Sequence, residues 1–130
     1  MVEAIPDEAR AFVRKYVRSM LQLEALLFLA REPEQWCSAG AVSRELRSSP
    51  EAAAAQLERL SELGLLEARS DPEPAFRFSP RDPTHVTVVA ALSVLHRERF
   101  HAVVDMIYAR DRAQVFADAF KLKKTEDDDG

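Results

Sequence analysis

The stretch Ser48-Ser49-Pro50-Glu51-Ala52-Ala53-Ala54-Ala55-Gln56-Leu57-Glu58-Arg59-Leu60-Ser61-Glu62-Leu63-Gly64-Leu65-Leu66 spells out one short helix, both of its ends and the start of an extended segment. Ser49 is placed to cap the first free amides, and Pro50 sits at the first helical position, where a missing N–H costs nothing. Ala53, Leu57, Leu60 and Leu63 recur at helical spacing, so one apolar stripe faces inward. Gly64 stands where a left-handed residue lets the chain leave the helix, and Leu65-Leu66 begin the extended part. The spacing predicts a helix over 50–63 and a strand over 65–68.

Working outward, Glu32-Pro33-Glu34 ends whatever precedes it, and Ser38 is a good cap for a helix over 38–47 with Val42 and Leu46 inward. Ser43 between them is small, as a tight crossing of two helices requires. Trp36 is expected to cover the first two helices, and Cys37, with no cationic neighbour in sequence, to be an inert, partly buried thiol. On the other side, Ala75-Phe76-Arg77-Phe78 alternates as a second strand over 75–78, and Arg69-Ser70-Asp71-Pro72-Glu73-Pro74 between the strands is turn chemistry.

The flanks read as helices. Pro6-Asp7-Glu8 opens a segment without Gly or Pro until Arg31, predicted as one helix over 7–31. Its second half, Gln22 to Arg31, is apolar nearly all round and therefore core. Residues 1–20 form an arm with Arg10, Arg14, Lys15 and Arg18 on a solvated face, available to another subunit. After the linker Ser79 to Pro83, no breaker occurs from Thr84 to Arg110, which predicts a helix over 84–110, on the order of 40 Å long. Val89, Leu92, His96, Phe100, Val103 and Ile107 mark its apolar stripe, longer than a small domain needs, and it is expected to be a dimer interface. A further amphipathic piece spans 113–122, and residues 123–130 are a charged tail. The domain scheme is thus an arm at 1–20, a central domain at 21–81, dimerisation helices at 82–122 and the tail.

Composition limits function. The chain has 18 basic and 22 acidic residues, and Glu126, Asp127, Asp128 and Asp129 supply the whole excess, so the rest is neutral where dedicated nucleic-acid binders are usually basic. No run reaches the roughly 18 apolar residues of a membrane span, and no apolar block follows the N-terminus. A single cysteine without a Cys/His cluster suits a reducing cytoplasm and offers no metal site. His85, His96 and His101 do not share a helical face, and there is no phosphate loop, nucleophile elbow or zinc-protease motif. The sequence is read as a non-enzyme with no cofactor.

Residues 21 to 81 resemble a winged helix-turn-helix, mainly α with a small β-hairpin wing, of the kind found in bacterial MarR- and PadR-like transcriptional regulators. The likeness rests on Val42-Ser43-x-x-Leu46, on Ser49-Pro50 with Ala53, Leu57 and Leu60, on Gly64-Leu65 and on the hairpin. It implies a homodimer that sets the Pro50 to Leu63 helix in the major groove of double-stranded DNA, with the wing near phosphates. The residues then expected at DNA are Arg44, Arg47, Ser48, Ser49, Glu51, Ala55, Gln56, Arg59 and Arg77. Against this, the outward alanines of that helix make no hydrogen-bonded base contact, and residues 38–81 hold six basic against seven acidic side chains. A module that binds an unidentified protein through the same face is the alternative.

Overall fold

The computed structural model describes residues 5–109. In chain order the elements are α1 (Asp7–Tyr16), α2 (Met20–Ala30), α3 (Ala39–Leu46), α4 (Pro50–Glu62), β1 (Leu66–Arg69), β2 (Ala75–Phe78) and α5 (Thr84–Glu98). A last helix, α6, begins at residue 100 and is described to residue 109. The amphipathic piece at 113–122 and the tail at 123–130 lie outside the described residues.

Helix α2 is the hub. It packs on α3, α4, β2 and α5, and Leu23, Ala25, Leu26 and Leu29 are buried, as an all-round apolar helix must be. From α4 the inward stripe Ala53, Leu57 and Leu60 is buried against it, with Val42 of α3, Leu65 and Phe78 completing this side of the core. The hairpin pairs Leu66 with Phe78, Glu67 with Arg77, Ala68 with Phe76 and Arg69 with Ala75, antiparallel. Cys37 adds a one-residue third strand: its N–H donates to the Phe76 carbonyl and its carbonyl accepts from the Phe76 N–H, both at 2.8 Å.

Two long helices expected from the sequence are each broken. The 7–31 segment divides at Val17, whose backbone is extended (φ −100°, ψ 124°), and Ser19 caps α2 by accepting from the Gln22 N–H. Gln22 is the reason the break is tolerated. Its buried side chain accepts from the Arg18 N–H at 2.6 Å and donates to the Tyr16 carbonyl at 2.8 Å, satisfying backbone groups that the missing turn frees. The break lets α1 fold back onto α5 and bury Ala9, Phe12 and Val13, so the expected arm is packed against the body of the chain.

The 84–110 segment bends at Arg99 (φ −135°, ψ 54°), where no Pro or Gly marks it. The bend turns α6 back so that Val103 and Ile107 enter the core and the Tyr108 hydroxyl accepts from the Met20 N–H at 3.4 Å, one of the free amides opening α2. Burial of two branched side chains, roughly 1.5–3 kcal/mol each, outweighs the helical hydrogen bonds broken at one residue.

Candidate nucleic-acid interface

Serine side chains fix the start of α3 and the turn between α3 and α4. Ser38 caps α3 through the Ala41 N–H at 3.1 Å, and Ser49 caps α4 through the Ala52 N–H at 3.1 Å. Ser43, buried in α3, donates its hydroxyl to the Ser48 carbonyl at 2.6 Å, while its own carbonyl accepts from the Ser48 N–H at 3.1 Å. A residue that sequence reading wants only for its size is thus also the clasp of the turn. Arg47 lies between, at φ 55° and ψ 42°, the left-handed region that glycine and asparagine fill most readily.

Most of the candidate residues on α3, the turn and α4 are exposed, while Arg77 is half-buried on β2. Arg44, Arg47, Ser49, Glu51, Ala55 and Arg59 are exposed, with Ser48, Ala52, Ala54 and Gln56 half-buried beside them. The cations differ in how free they are. Arg59 is 3.5 Å from Glu62, and Arg77 meets the Glu67 carboxylate through Nε at 3.1 Å and a terminal nitrogen at 2.9 Å. Among the described residues Arg44, Arg47 and Arg81 make no salt bridge. Glu51 and Glu58 also stand exposed on α4, so the free positive charge is concentrated at the end of α3 rather than along α4.

Trp36 is placed differently from its expected role as cover for the first helices. Because Cys37 pairs with Phe76, Trp36 lies on the outer face of the wing, with the guanidinium carbons of Arg69 and Arg77 at 4.5 and 4.6 Å from its ring centre. Cation–π contacts of this kind contribute about 0.5–2 kcal/mol and hold both arginines in place. Arg69 is not among the sequence candidates, since no local spacing reveals that Trp36 crosses to the hairpin. Cys37 is half-buried, and burial first, then the Glu32 charge, pushes its thiol above the usual range, which keeps it protonated and unreactive.

The expected dimer stripe is divided by the fold. Val89, Leu92, Val103 and Ile107 are buried in the chain's own core, Phe100 is exposed, and His96 is half-buried at 3.9 Å from Glu24. Only the last two of the six are open to a second subunit: α5 buries Val89 and Leu92 where it packs on α1 and α2, and the bend at Arg99 brings Val103 and Ile107 into the core. His85 packs edge-on against Phe12 and Tyr16, each ring centre 5.2 Å away, with Asp82 at 3.7 Å. The Asp82 carboxyl, hydrogen-bonded by the Thr84 hydroxyl and N–H, is held below its usual range. Among the described residues no group of three His, Cys, Asp or Glu is gathered to hold a metal, and no helix is long and apolar enough to cross a membrane.

No family model matches this sequence, and no curated protein is similar to it. Solved structures do match its fold. MepR, a transcription regulator of the Staphylococcus aureus multidrug efflux pump MepA, superposes with a TM-score of 0.54 over 91% of this chain and 87% of its own, at 13% identity. A MepR point mutant bound to an oligodeoxyribonucleotide gives the same TM-score of 0.54. Reduced HlyU from Vibrio cholerae matches at 26% identity with a TM-score of 0.50, over 72% of this chain and 92% of its own. The homodimeric winged helix-turn-helix DNA-binding domain Mb0332 from Mycobacterium bovis matches at 22% identity with a TM-score of 0.51, over 75% of this chain and 93% of its own. The chain has the winged helix-turn-helix fold.

Proposed function

We propose that this winged helix-turn-helix chain is a cytoplasmic, non-enzymatic transcriptional regulator that binds double-stranded DNA as a homodimer. The observation that carries the reading is the charge at the clasped turn: Arg44 and Arg47 project from the end of α3 and, among the described residues, form no ion pair, beside the smooth start of α4. In this reading Arg44, Arg47, Ser48 and Ser49 take phosphates, Glu51, Ala55 and Gln56 lie at the groove, Gln56 reads a base edge, and Arg59 and Arg77 reach the backbone after exchanging their carboxylates for phosphate. Deviation of a non-glycine residue into the left-handed region costs about 1–2 kcal/mol, and a phosphate held by Arg47 gives that strain a use. The fold shared with a regulator solved on an oligodeoxyribonucleotide supports the assignment by analogy.

Fluorescence anisotropy with a labelled duplex from the region upstream of the protein's own gene, at two salt concentrations, tests it. Arg44→Ala combined with Arg47→Ala is expected to weaken binding by about tenfold or more and to reduce the salt slope by roughly 2 for each subunit on the duplex, about 0.9 for each phosphate no longer neutralised and so about 3.6 for the homodimer. Absence of binding by the unmodified protein at low salt overturns the reading.

A second reading is favoured by the ion pairs Arg59–Glu62 and Arg77–Glu67, which leave α4 with exposed Glu51 and Glu58 and an alanine-rich face suited to protein. Ala55→Glu separates the two. On DNA the added carboxylate meets phosphate and base acceptors and abolishes binding; at a protein interface it leaves any weak DNA binding nearly intact.

A further inference from the structure

Helix α1 turns one face toward α6. Arg10, Val13, Arg14 and Val17 follow one another along it at spacings of three, one and three, and together with Met106 and Ile107 of α6 they line a groove of about 390 Å³. That volume lies in the range of small-molecule sites, roughly 300–1,000 Å³. Val13, Val17 and Ile107 are buried and make an aliphatic floor. Among the described residues no aromatic side chain lines the groove, so it offers nothing for a flat ring to stack on. Arg10 and Arg14 are exposed at its rim, one helical turn or about 6 Å apart along the axis. Between Arg10 and Arg18 the chain has no acid, and the exposed Lys15 and Arg18 add to the positive field. A seam between two helices packs with apolar residues alone. Two guanidinium forks at its edge, with no carboxylate within ion-pair distance among the described residues, call for an anion.

We propose that this groove binds an aliphatic carboxylate, whose head accepts hydrogen bonds from the guanidinium groups of Arg10 and Arg14 and whose hydrocarbon chain lies along Val13, Val17, Met106 and Ile107. The site is built from α1 and α6 and does not depend on the DNA reading. Arginine suits the head because its planar fork matches the two oxygens of a carboxylate and keeps its charge throughout the physiological pH range. The floor suits a flexible chain, since branched aliphatic side chains and the adaptable thioether of Met106 close around a narrow, bending occupant. A positive rim rejects a cation. An apolar floor in turn offers nothing to a nucleic-acid backbone, which carries a charge at every phosphate.

Isothermal titration calorimetry of the full chain at neutral pH and low ionic strength, with octanoate and decanoate below their micelle concentrations, reads the site. Each methylene withdrawn from water is expected to tighten binding about fourfold, so decanoate binds about tenfold more tightly than octanoate. 1-Octanol, with the same chain as octanoate and no charge, is expected to bind about tenfold or more weakly than it. Benzoate, with the same head on a flat ring, is expected to bind more weakly than octanoate as well. Arg10→Gln combined with Arg14→Gln should bring octanoate down to the affinity of 1-octanol and leave 1-octanol unchanged, a split that loss of structure does not produce. Ala109→Glu, on an exposed residue that also lines the groove, sets a carboxylate against the bound head and is expected to weaken octanoate by about tenfold or more, with the circular dichroism melt unchanged. No binding of decanoate, affinity independent of chain length, 1-octanol or benzoate as good as octanoate, or either variant without effect on octanoate overturns the proposal. The duplex titration of the unmodified protein bears only on the DNA reading, so the two fail separately.

Discussion

Helices α3 and α4 end on the same backbone geometry with different residues. Gly64 takes φ 81° after α4, and Arg47 takes φ 55° after α3. At both ends the amide of the next residue closes back on the helix, from Leu65 to the Leu60 carbonyl at 3.0 Å and from Ser48 to the Ser43 carbonyl at 3.1 Å. The surroundings differ. A Cβ at 64 would lie 3.0 Å from the Arg81 Cδ, so a side chain there adds a displacement of Arg81 to the strain of the left-handed backbone; at 47 the arginine extends into solvent. An end built for stability uses glycine. At the other end the left-handed backbone is taken by an arginine whose side chain is exposed, and the proposed phosphate contact would give that strain a use.

Substitutions break or sharpen that contrast in a definite order. Gly64→Ala is expected to do most: about 1–2 kcal/mol of left-handed strain, offset by about 0.5–1 kcal/mol of lower chain entropy and increased by the displacement of Arg81, lowers stability; urea denaturation followed by circular dichroism reads it. Ser43→Ala removes the clasp to the Ser48 carbonyl and is expected to cost about 1 kcal/mol in the same titration. It should loosen the turn, so amide exchange at Ser48 and Ser49 quickens while that of α2 is unaffected. Smallest, and opposite in sign, is Arg47→Gly. Relief of about 1–2 kcal/mol of strain exceeds the extra chain entropy of glycine, about 0.5–1 kcal/mol, so the variant is expected to be more stable by about 0.5–1 kcal/mol. It should bind the duplex more weakly all the same. A gain in stability without weaker binding would remove the functional reading of that strain.

How much the sequence discloses depends on the range of the interactions involved. Helix α4, expected at 50–63, is found at Pro50–Glu62, and α3 and the strands fall within a residue or so of their expected places, because Ser49, Pro50, Gly64 and the turn residues act on their immediate neighbours. The breaks at Val17 and Arg99 have no such signal. Gln22 is an ordinary residue in a helical pattern until its side chain is seen filling the gap beside Tyr16 and Arg18. The candidate residues are proposed from the sequence, while the contact of both wing arginines with Trp36 is not legible there, since it depends on Cys37 joining β2 from far along the chain.

By itself the sequence determined which segments are helix or strand around the turn, which faces of α3 and α4 point inward, and that the balance of charge there is close to neutral. Caps, glycine and apolar period are read over a few residues, and no distant contact changes their meaning. Only the tertiary structure decided that α1 and α6 fold back on the core, which arginines form ion pairs among the described residues, and which residues of α5 are buried. Those outcomes are competitions between burial and local geometry. An apolar residue such as Val89 or Val94 carries the same signal in either place, and the packing of the rest of the chain chooses which of them is hidden.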